Sequence, residues 1–123
     1  MPLLHYLDFD YSEDADGIGT FDALASVLPP QLPALQAEIT AVLRWAHAHF
    51  PQGCGPLDEG GVWHWDLQGS QEVSTPLALE WDAAAGRLHA TPGTPAPPRT
   101  TLGLSLSGQA AFCEALREAF EIA

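Results

Sequence analysis

The chain has 123 residues and a formal net charge of −12, from eight Asp and eight Glu against four Arg and no Lys. A charge of this sign repels phosphate groups, so we expect the protein to bind neither nucleic acid nor an anionic membrane surface. The hydrophobic content of 46% is typical of a globular protein and excludes a disordered chain, and no apolar run is long enough to span a bilayer.

The length fits one domain over residues 1–123. The first ten residues, MPLLHYLDFD, show neither the basic region nor the small-residue cleavage site of a signal peptide, so we expect a cytoplasmic protein. Cys54 and Cys113 lie far apart and lack the CxxC spacing of a metal or redox site. In a cytoplasmic protein this pattern predicts two free thiols.

Alternation of apolar and polar residues predicts a first pair of strands, over 3–11 and 20–27, joined by a turn rich in Asp and Gly. Ala and Leu in the second segment leave a helix open as an alternative there. The three- and four-residue spacing of Leu35, Ile39 and Val42 predicts an amphipathic helix over 33–50, with a proline in its first turn.

Further alternation predicts four more strands, over 61–68, 76–82, 87–91 and 101–107, before a final helix capped by Ser107. The proline-rich segment 92–99 is predicted to be a surface loop. The order ββ-α-ββββ-α predicts an α+β fold, a mainly antiparallel sheet of about six strands with two helices packed on one face.

The four tryptophans differ in their predicted surroundings. Trp63, Trp65 and Trp81 share a predicted strand face with leucines, which predicts positions in the core. Trp45 lies just off the apolar stripe of the first helix, where a partly exposed side chain either covers the edge of the core or anchors an interface.

If the apolar side chains of the strands face the helices, the carboxylates of the same strands share the opposite face. Asp8 or Asp10 would then lie near Asp22 across the first hairpin. Like charges directly opposite each other are destabilising, and a cation or a basic partner would remove that penalty. The predicted binding residues on this acidic face and turn are Asp8, Asp10, Glu13, Asp14, Asp16, Asp22, Asp66, Glu80 and Asp82.

The N-terminal aspartates also allow a second hypothesis, a divalent-metal-binding domain or a small metal-dependent hydrolase. Its weak candidate ligands are Asp8, Asp10, Asp14, Asp16 and Asp22. The turn is similar to an EF-hand loop, but aligning Gly17 with the sixth loop position leaves Ala23 where the bidentate Glu should stand. We therefore predict no cofactor beyond weak binding of Ca²⁺ or Mg²⁺.

Two short segments resemble known proteins. LLHYLDFDYS resembles the strand-end motif of haloacid-dehalogenase phosphatases, which implies Asp8 as nucleophile and Asp10 as general acid, but that family needs a lysine and this chain has none. SEDADGIGTFDALASV and LSLSGQAAFCEALREAF resemble parts of small bacterial proteins, a resemblance that implies no activity. The sequence has no GxSxG elbow, phosphate loop or dinucleotide fingerprint, so an enzyme is the less favoured hypothesis.

The favoured hypothesis is a cytoplasmic accessory protein that presents an acidic face and turn to a basic protein partner. An immunity protein that masks the basic active site of a toxin is one concrete form, because electrostatic steering speeds such an association. A third hypothesis is a homodimer formed through a sheet edge, with the negative charge serving only solubility.

Overall fold

The computed structural model of the protein describes residues 4–51 and 53–122. It contains six strands and two helices in the order ββ-α-ββββ-α, which confirms the predicted α+β class, and residues 20–27 form a strand. The elements are β1 (Asp10–Glu13), β2 (Gly19–Val27), α1 (Leu32–His49), β3 (Trp63–Glu72), β4 (Leu77–Asp82), β5 (Arg87–Pro92), β6 (Arg99–Gly108) and α2 (Ala110–Phe120).

The six strands are divided between two antiparallel units. Four of them form one sheet in the order β1-β2-β6-β3, while β4 and β5 pair only with each other. The last strand, β6, is therefore inserted between β2 and β3 and pairs with both along its whole length. We call the β4–β5 hairpin, with its turn, the arm.

The two helices pack on one face of the four-stranded sheet. Strand β2 shows the reason, because its side chains alternate between buried and exposed along the whole strand. Phe21 and Ala23 face the helices, whereas Asp22 and Leu24 point to the opposite side, which we call the open face. The apolar stripe of α1 and that of α2 close the core over the sheet, as the sequence predicts.

The tryptophans are distributed differently from the sequence prediction. Trp63 is fully buried, stacks on Phe112 at 5.3 Å between ring centroids, and donates its Nε1–H to the carbonyl of Phe50 at 3.0 Å. Trp45 is also buried, which favours its predicted alternative of packing at the core over that of an exposed interface anchor. Trp65 and Trp81 are 36% and 64% exposed, so their predicted core positions are wrong. Both lie in strands whose apolar faces extend beyond the helices.

The N-terminal segment is held by a carboxylate rather than by strand pairing. Strand β1 begins only at Asp10, so the predicted strand over 3–11 is too long at its start, and Leu3 lies outside the described residues. The Glu38 carboxylate of α1 accepts hydrogen bonds from the backbone N–H groups of His5, Tyr6 and Leu7 at 3.0 Å each. These bonds fix residues 5–7 against α1 and so position Asp8.

The second helix begins later than predicted. Ser107 does not cap it, because this residue still belongs to β6 and its hydroxyl lies 2.9 Å from that of Thr20 on β2. Helix α2 contributes Cys113 to the core, where burial raises the pKa of the thiol, and both cysteines are free as predicted. Among the described residues no helix is both long and apolar enough to cross a membrane.

Candidate binding surface

A row of carboxylates crosses the open face from one edge of the sheet to the other. The strand register places Asp10 directly opposite Asp22, Asp22 opposite Ser105, and Ser105 opposite Asp66. The four residues therefore form one line perpendicular to the strands, which we call the acidic row. Because adjacent strands lie about 4.8 Å apart, the row is about 14 Å long.

The acidic row borders a shallow depression of about 440 Å³ on the open face. Asp8, from the N-terminal segment, lines the same depression together with the three aspartates of the row. The structure thus brings together Asp8, Asp10, Asp22 and Asp66, as the strand alternation predicts. All four side chains are exposed, so their charges face solvent.

Polar neighbours satisfy two of these four carboxylates. The Ser105 hydroxyl donates to Oδ1 of Asp22, and the amide of Gln68 donates to Oδ2 of Asp66 at 3.2 Å. Neither Asp8 nor Asp10 accepts a hydrogen bond from another side chain among residues 4–51 and 53–122. Asp10 at the end of the row and Asp8 beside it in the N-terminal segment therefore have oxygens that remain available to a ligand.

The predicted turn carboxylates lie away from the row. Asp14 caps the turn, because its Oδ1 accepts the backbone N–H groups of Asp16 and Ile18, each at 2.9 Å. Gly17 has a φ of +81°, a conformation that favours glycine and closes the turn. Asp14 lies four residue steps after Asp10, about 13 Å along the chain at the rise of an antiparallel strand. Glu13 ends β1 beside this turn.

Glu80 and Asp82 do not lie on the open face, so their predicted place there is wrong. Both belong to β4, which is part of the arm and not of the four-stranded sheet. Across the arm Glu80 pairs with His89 and Asp82 pairs with Arg87. Their charges are thus set opposite basic side chains, unlike those of the acidic row.

The open face offers the acidic row little positive charge from its own chain. Arg99 lies on this face at the far end of β6, where its Nη1 approaches the carbonyl of Ser26 at 3.4 Å. Arg99 lies six residue steps, about 20 Å, from Ser105 in the row. The salt bridge found among the described residues, His89 to Asp82 at 3.9 Å, lies on the arm.

The spacing of the carboxylates bears on the metal hypothesis. Within the described parts of the chain, no group of three or more His, Cys, Asp or Glu side chains is arranged to hold a metal ion. Asp10 and Asp22 are neighbours, but Asp66 lies two strands beyond Asp22, about 10 Å away. Calcium needs six to eight oxygen ligands at about 2.3–2.6 Å, which such a spread cannot supply from these three side chains alone.

Two residues of this surface were missed by the sequence prediction. Gln68 contacts Asp66 two residues away on β3, whereas Ser105 became part of the surface because β6 lies between β2 and β3, a strand order that no local pattern reveals. Alternation did indicate that Ser105 faces away from the leucines of β6. The identity of its neighbours depended on pairing between residues more than 80 positions apart.

Comparison of the chain with family models, with curated proteins and with solved structures finds no significant match to any of them. The resemblance to small bacterial proteins therefore stays a prediction, and the function must be argued from the surface itself.

Proposed function

We propose that the protein is a binding protein whose open face engages a basic surface of a partner protein. The observation that carries this proposal is the register of β1 and β2, which sets Asp10 directly opposite Asp22. Carboxylates at such positions have Cβ atoms about 5 Å apart and repel each other. A Lys or Arg side chain placed between them relieves that repulsion and forms charge-assisted hydrogen bonds.

The surroundings of the row also suit a long basic side chain. Leu24 is 73% exposed on the open face and lines the same depression as Asp22 and Asp66. The aliphatic stem of a Lys or Arg can pack on this leucine while its charged head reaches a carboxylate. A fixed row of carboxylates thus supplies the charge, and the leucine supplies apolar contact.

The net charge of −12 contributes to the rate of such an association. A strongly negative molecule attracts a basic partner over about 10 Å at moderate ionic strength, and this attraction weakens as salt is added. One concrete form of the function is an inhibitor or immunity protein that covers a basic catalytic site. Its cytoplasmic location is part of the same proposal.

The proposal is tested by removing equal charge from two places. The double variant Asp10→Asn/Asp22→Asn removes two charges from the acidic row, and Glu114→Gln/Glu118→Gln removes two from exposed positions on α2. We expect the row variant to weaken binding of an Arg- and Lys-rich peptide at least tenfold, and the helix variant to change it less than twofold. Isothermal titration calorimetry at low salt measures both affinities.

Equal losses in the two variants would contradict the proposal, because they would show attraction to net charge rather than to a located surface. Amide chemical shifts recorded during the same titration provide a second criterion. Perturbations must be centred on β1, β2 and β6 around Asp22. A pull-down from a bacterial lysate with the wild-type protein and the row variant then identifies the natural basic partner.

A stability measurement accompanies the binding assay. Asp10→Asn removes the cross-strand repulsion, so we expect it to raise the free energy of unfolding by about 0.2–1 kcal/mol in the absence of a partner. High salt should remove most of this gain through screening. A variant that is more stable and binds less tightly would show that the protein keeps this charge pair for binding.

A further inference from the structure

The arm has a completely apolar face that is open to solvent. Register pairs Leu77 with Pro92, Leu79 with Ala90, and Trp81 with Leu88, so all six side chains share one side of the hairpin. Its large members are between 56% and 64% exposed. A soluble protein rarely leaves a contiguous apolar patch of this kind uncovered without using it for binding.

The rest of the described chain does not cover this face. Beyond their pairing with each other, β4 and β5 make no more than marginal contact with any other element of residues 4–51 and 53–122. An isolated two-stranded hairpin is at best marginally stable in water, and it gains stability when its apolar face packs against another surface. The arm therefore has the properties of a segment that is completed by binding.

A matching apolar surface lies on the body of the same chain. A groove of about 530 Å³ runs between α1 and β3, and we call it the edge groove. It is lined by Gln36, Ile39, Thr40, Leu67, Gln68, Gly69 and Leu102. None of these side chains is charged. Leu67 is 42% exposed there, and Trp65 continues the same apolar face along β3.

The edge groove lies beside an unpaired strand edge. Strand β3 ends the sheet, and residues 53–55 cover only its start, through backbone hydrogen bonds to Trp63. From His64 onward, the outer edge of β3 has no partner strand among the described residues. Free backbone N–H and C=O groups on such an edge are ready to pair with another strand.

The dimensions of the arm and the edge groove agree. The six-residue strands of the arm are about 20 Å long. Helix α1 has 18 residues and is about 27 Å long. An arm placed along β3 thus fits within the length of the helix that forms the other wall of the groove.

The charge distribution favours a second copy of this chain as the occupant. The arm and its connections, residues 73–98, contain Glu80, Asp82 and Arg87, a net charge of −1, while the edge groove is uncharged. The rest of the chain carries the remaining net charge of −11. These two surfaces are where identical acidic chains meet with least repulsion, and a basic partner gains no electrostatic energy from them.

We infer that two copies exchange arms. The arm of each copy lies in the edge groove of the other, with Leu79 and Trp81 over Ile39 and Leu67 and with a strand edge along β3. In a symmetric dimer this contact is made twice. A stable interface buries roughly 800 Å² on each partner, and both arms and both grooves contribute to that area. This inference rests on the arm and the edge groove and not on the acidic row, although Asp66 of that row also lies on β3.

The test is the solution mass of the protein and of four designed variants. Light scattering after size exclusion should give twice 13.1 kDa for the wild-type chain at micromolar concentration. Leu79→Thr/Trp81→Thr keeps strand propensity but removes the apolar face, and should give the monomer mass. Ala78→Thr/Glu80→Thr alters the opposite face of the same strand and should stay dimeric.

The groove is tested by Thr40→Arg, which places a charged side chain in it without lowering helix propensity. We expect this variant to be monomeric, while Ala48→Arg, with the same change in net charge on an exposed position of α1, stays dimeric. Circular dichroism checks that each variant is folded.

Mixing gives a result that nonspecific association cannot produce. When the Leu79→Thr/Trp81→Thr chain meets the Thr40→Arg chain, one intact arm faces one intact groove, so native mass spectrometry should show a mixed dimer that neither forms alone. A wild-type monomer at all concentrations overturns the inference. A dimer in the Leu79→Thr/Trp81→Thr variant would also overturn the inference. So would a dimer in the Thr40→Arg variant, because that variant blocks the groove.

Discussion

The four-stranded sheet and the arm are both antiparallel units with one apolar face, but only the sheet covers that face with its own chain. Leu104 and Leu106 of β6 are at most 1% exposed beneath the helices, whereas Leu79 of the arm is 62% exposed. Full burial of a leucine side chain contributes about 1.5–3 kcal/mol. The comparison indicates that the packed core lies between the sheet and the helices, and that the apolar face of the arm contributes little burial within the described chain.

The two units also differ in their charges. On the arm, Glu80 and Asp82 are set opposite His89 and Arg87, so the polar face is largely compensated. On the sheet, Asp10 and Asp22 are set opposite each other and Asp66 lies in the same row. The molecule therefore separates an apolar, nearly neutral surface from an acidic one, and a different partner is proposed for each.

The largest effect is expected from a matched pair of tryptophan substitutions. Trp63→Ala removes a buried ring stacked on Phe112 and should lower the free energy of unfolding by about 3–5 kcal/mol. Trp81→Ala should change it by less than about 0.5 kcal/mol in dilute, monomeric protein, because the ring is mostly in solvent. Urea denaturation followed by circular dichroism compares them. Similar losses in both variants would show that the arm is part of the core.

The attachment of the N-terminal segment gives the next effect. Glu38→Ala removes the acceptor of three backbone N–H groups and should cost about 1–3 kcal/mol. The amides of His5, Tyr6 and Leu7 should exchange with solvent faster, while those of the arm stay unchanged. Glu114→Ala, on an exposed face of α2, is the control. Unchanged exchange at residues 5–7 would contradict the proposed anchor.

A rise to alkaline pH should lower the stability of the core, which contains Cys113, more than the stability of the arm. Burial raises the pKa of Cys113 above its ordinary value of 9.0, so the folded state holds the thiol proton more tightly than the unfolded state does. The resulting stability is fully present below pH 9 and is lost as the pH rises through the raised pKa of the folded state. The slope of unfolding free energy against pH should be shallower in Cys113→Ala. An equal slope in both proteins would refute this assignment.

The smallest effect is expected from removing the arm. Glu72 and Arg99 are register partners, so residues 73–98 can be replaced by Asn-Gly, which joins β3 and β6 through a two-residue turn. The shortened chain should fold with a free energy of unfolding within about 1 kcal/mol of that of the wild-type monomer. Urea denaturation measures this difference. A chain that fails to fold would show that the sheet depends on the arm.

Local patterns in the sequence were sufficient for the element order and for much of the acidic surface. Alternation favoured a strand for β2 and placed Asp22 opposite its apolar side, although Ala and Leu left a helix open until the structure showed the strand. The three- and four-residue spacing located α1 to within one residue at each end, because a helical stripe must follow the period of the helix. The short turn after Glu13 predicted a hairpin with Asp8 or Asp10 near Asp22, and the register of the structure selects Asp10.

Other features depended on contacts between distant residues. Glu38 is an ordinary helical carboxylate in the sequence, and only the course of the N-terminal segment made it an anchor. Ser105 entered the acidic row because β6 lies between β2 and β3. No local propensity encodes which strands become neighbours, because that choice depends on the packing of the whole core.

By itself, then, the sequence determined which side chains share a face, because the period of a strand or a helix is a property of the backbone. The tertiary structure alone decided what covers each face. Leu104 and Leu79 show the same alternation, yet one lies beneath the helices and the other in solvent. The reason is that two helices can cover only part of six strands, so the arm retains an apolar face that its own chain leaves uncovered.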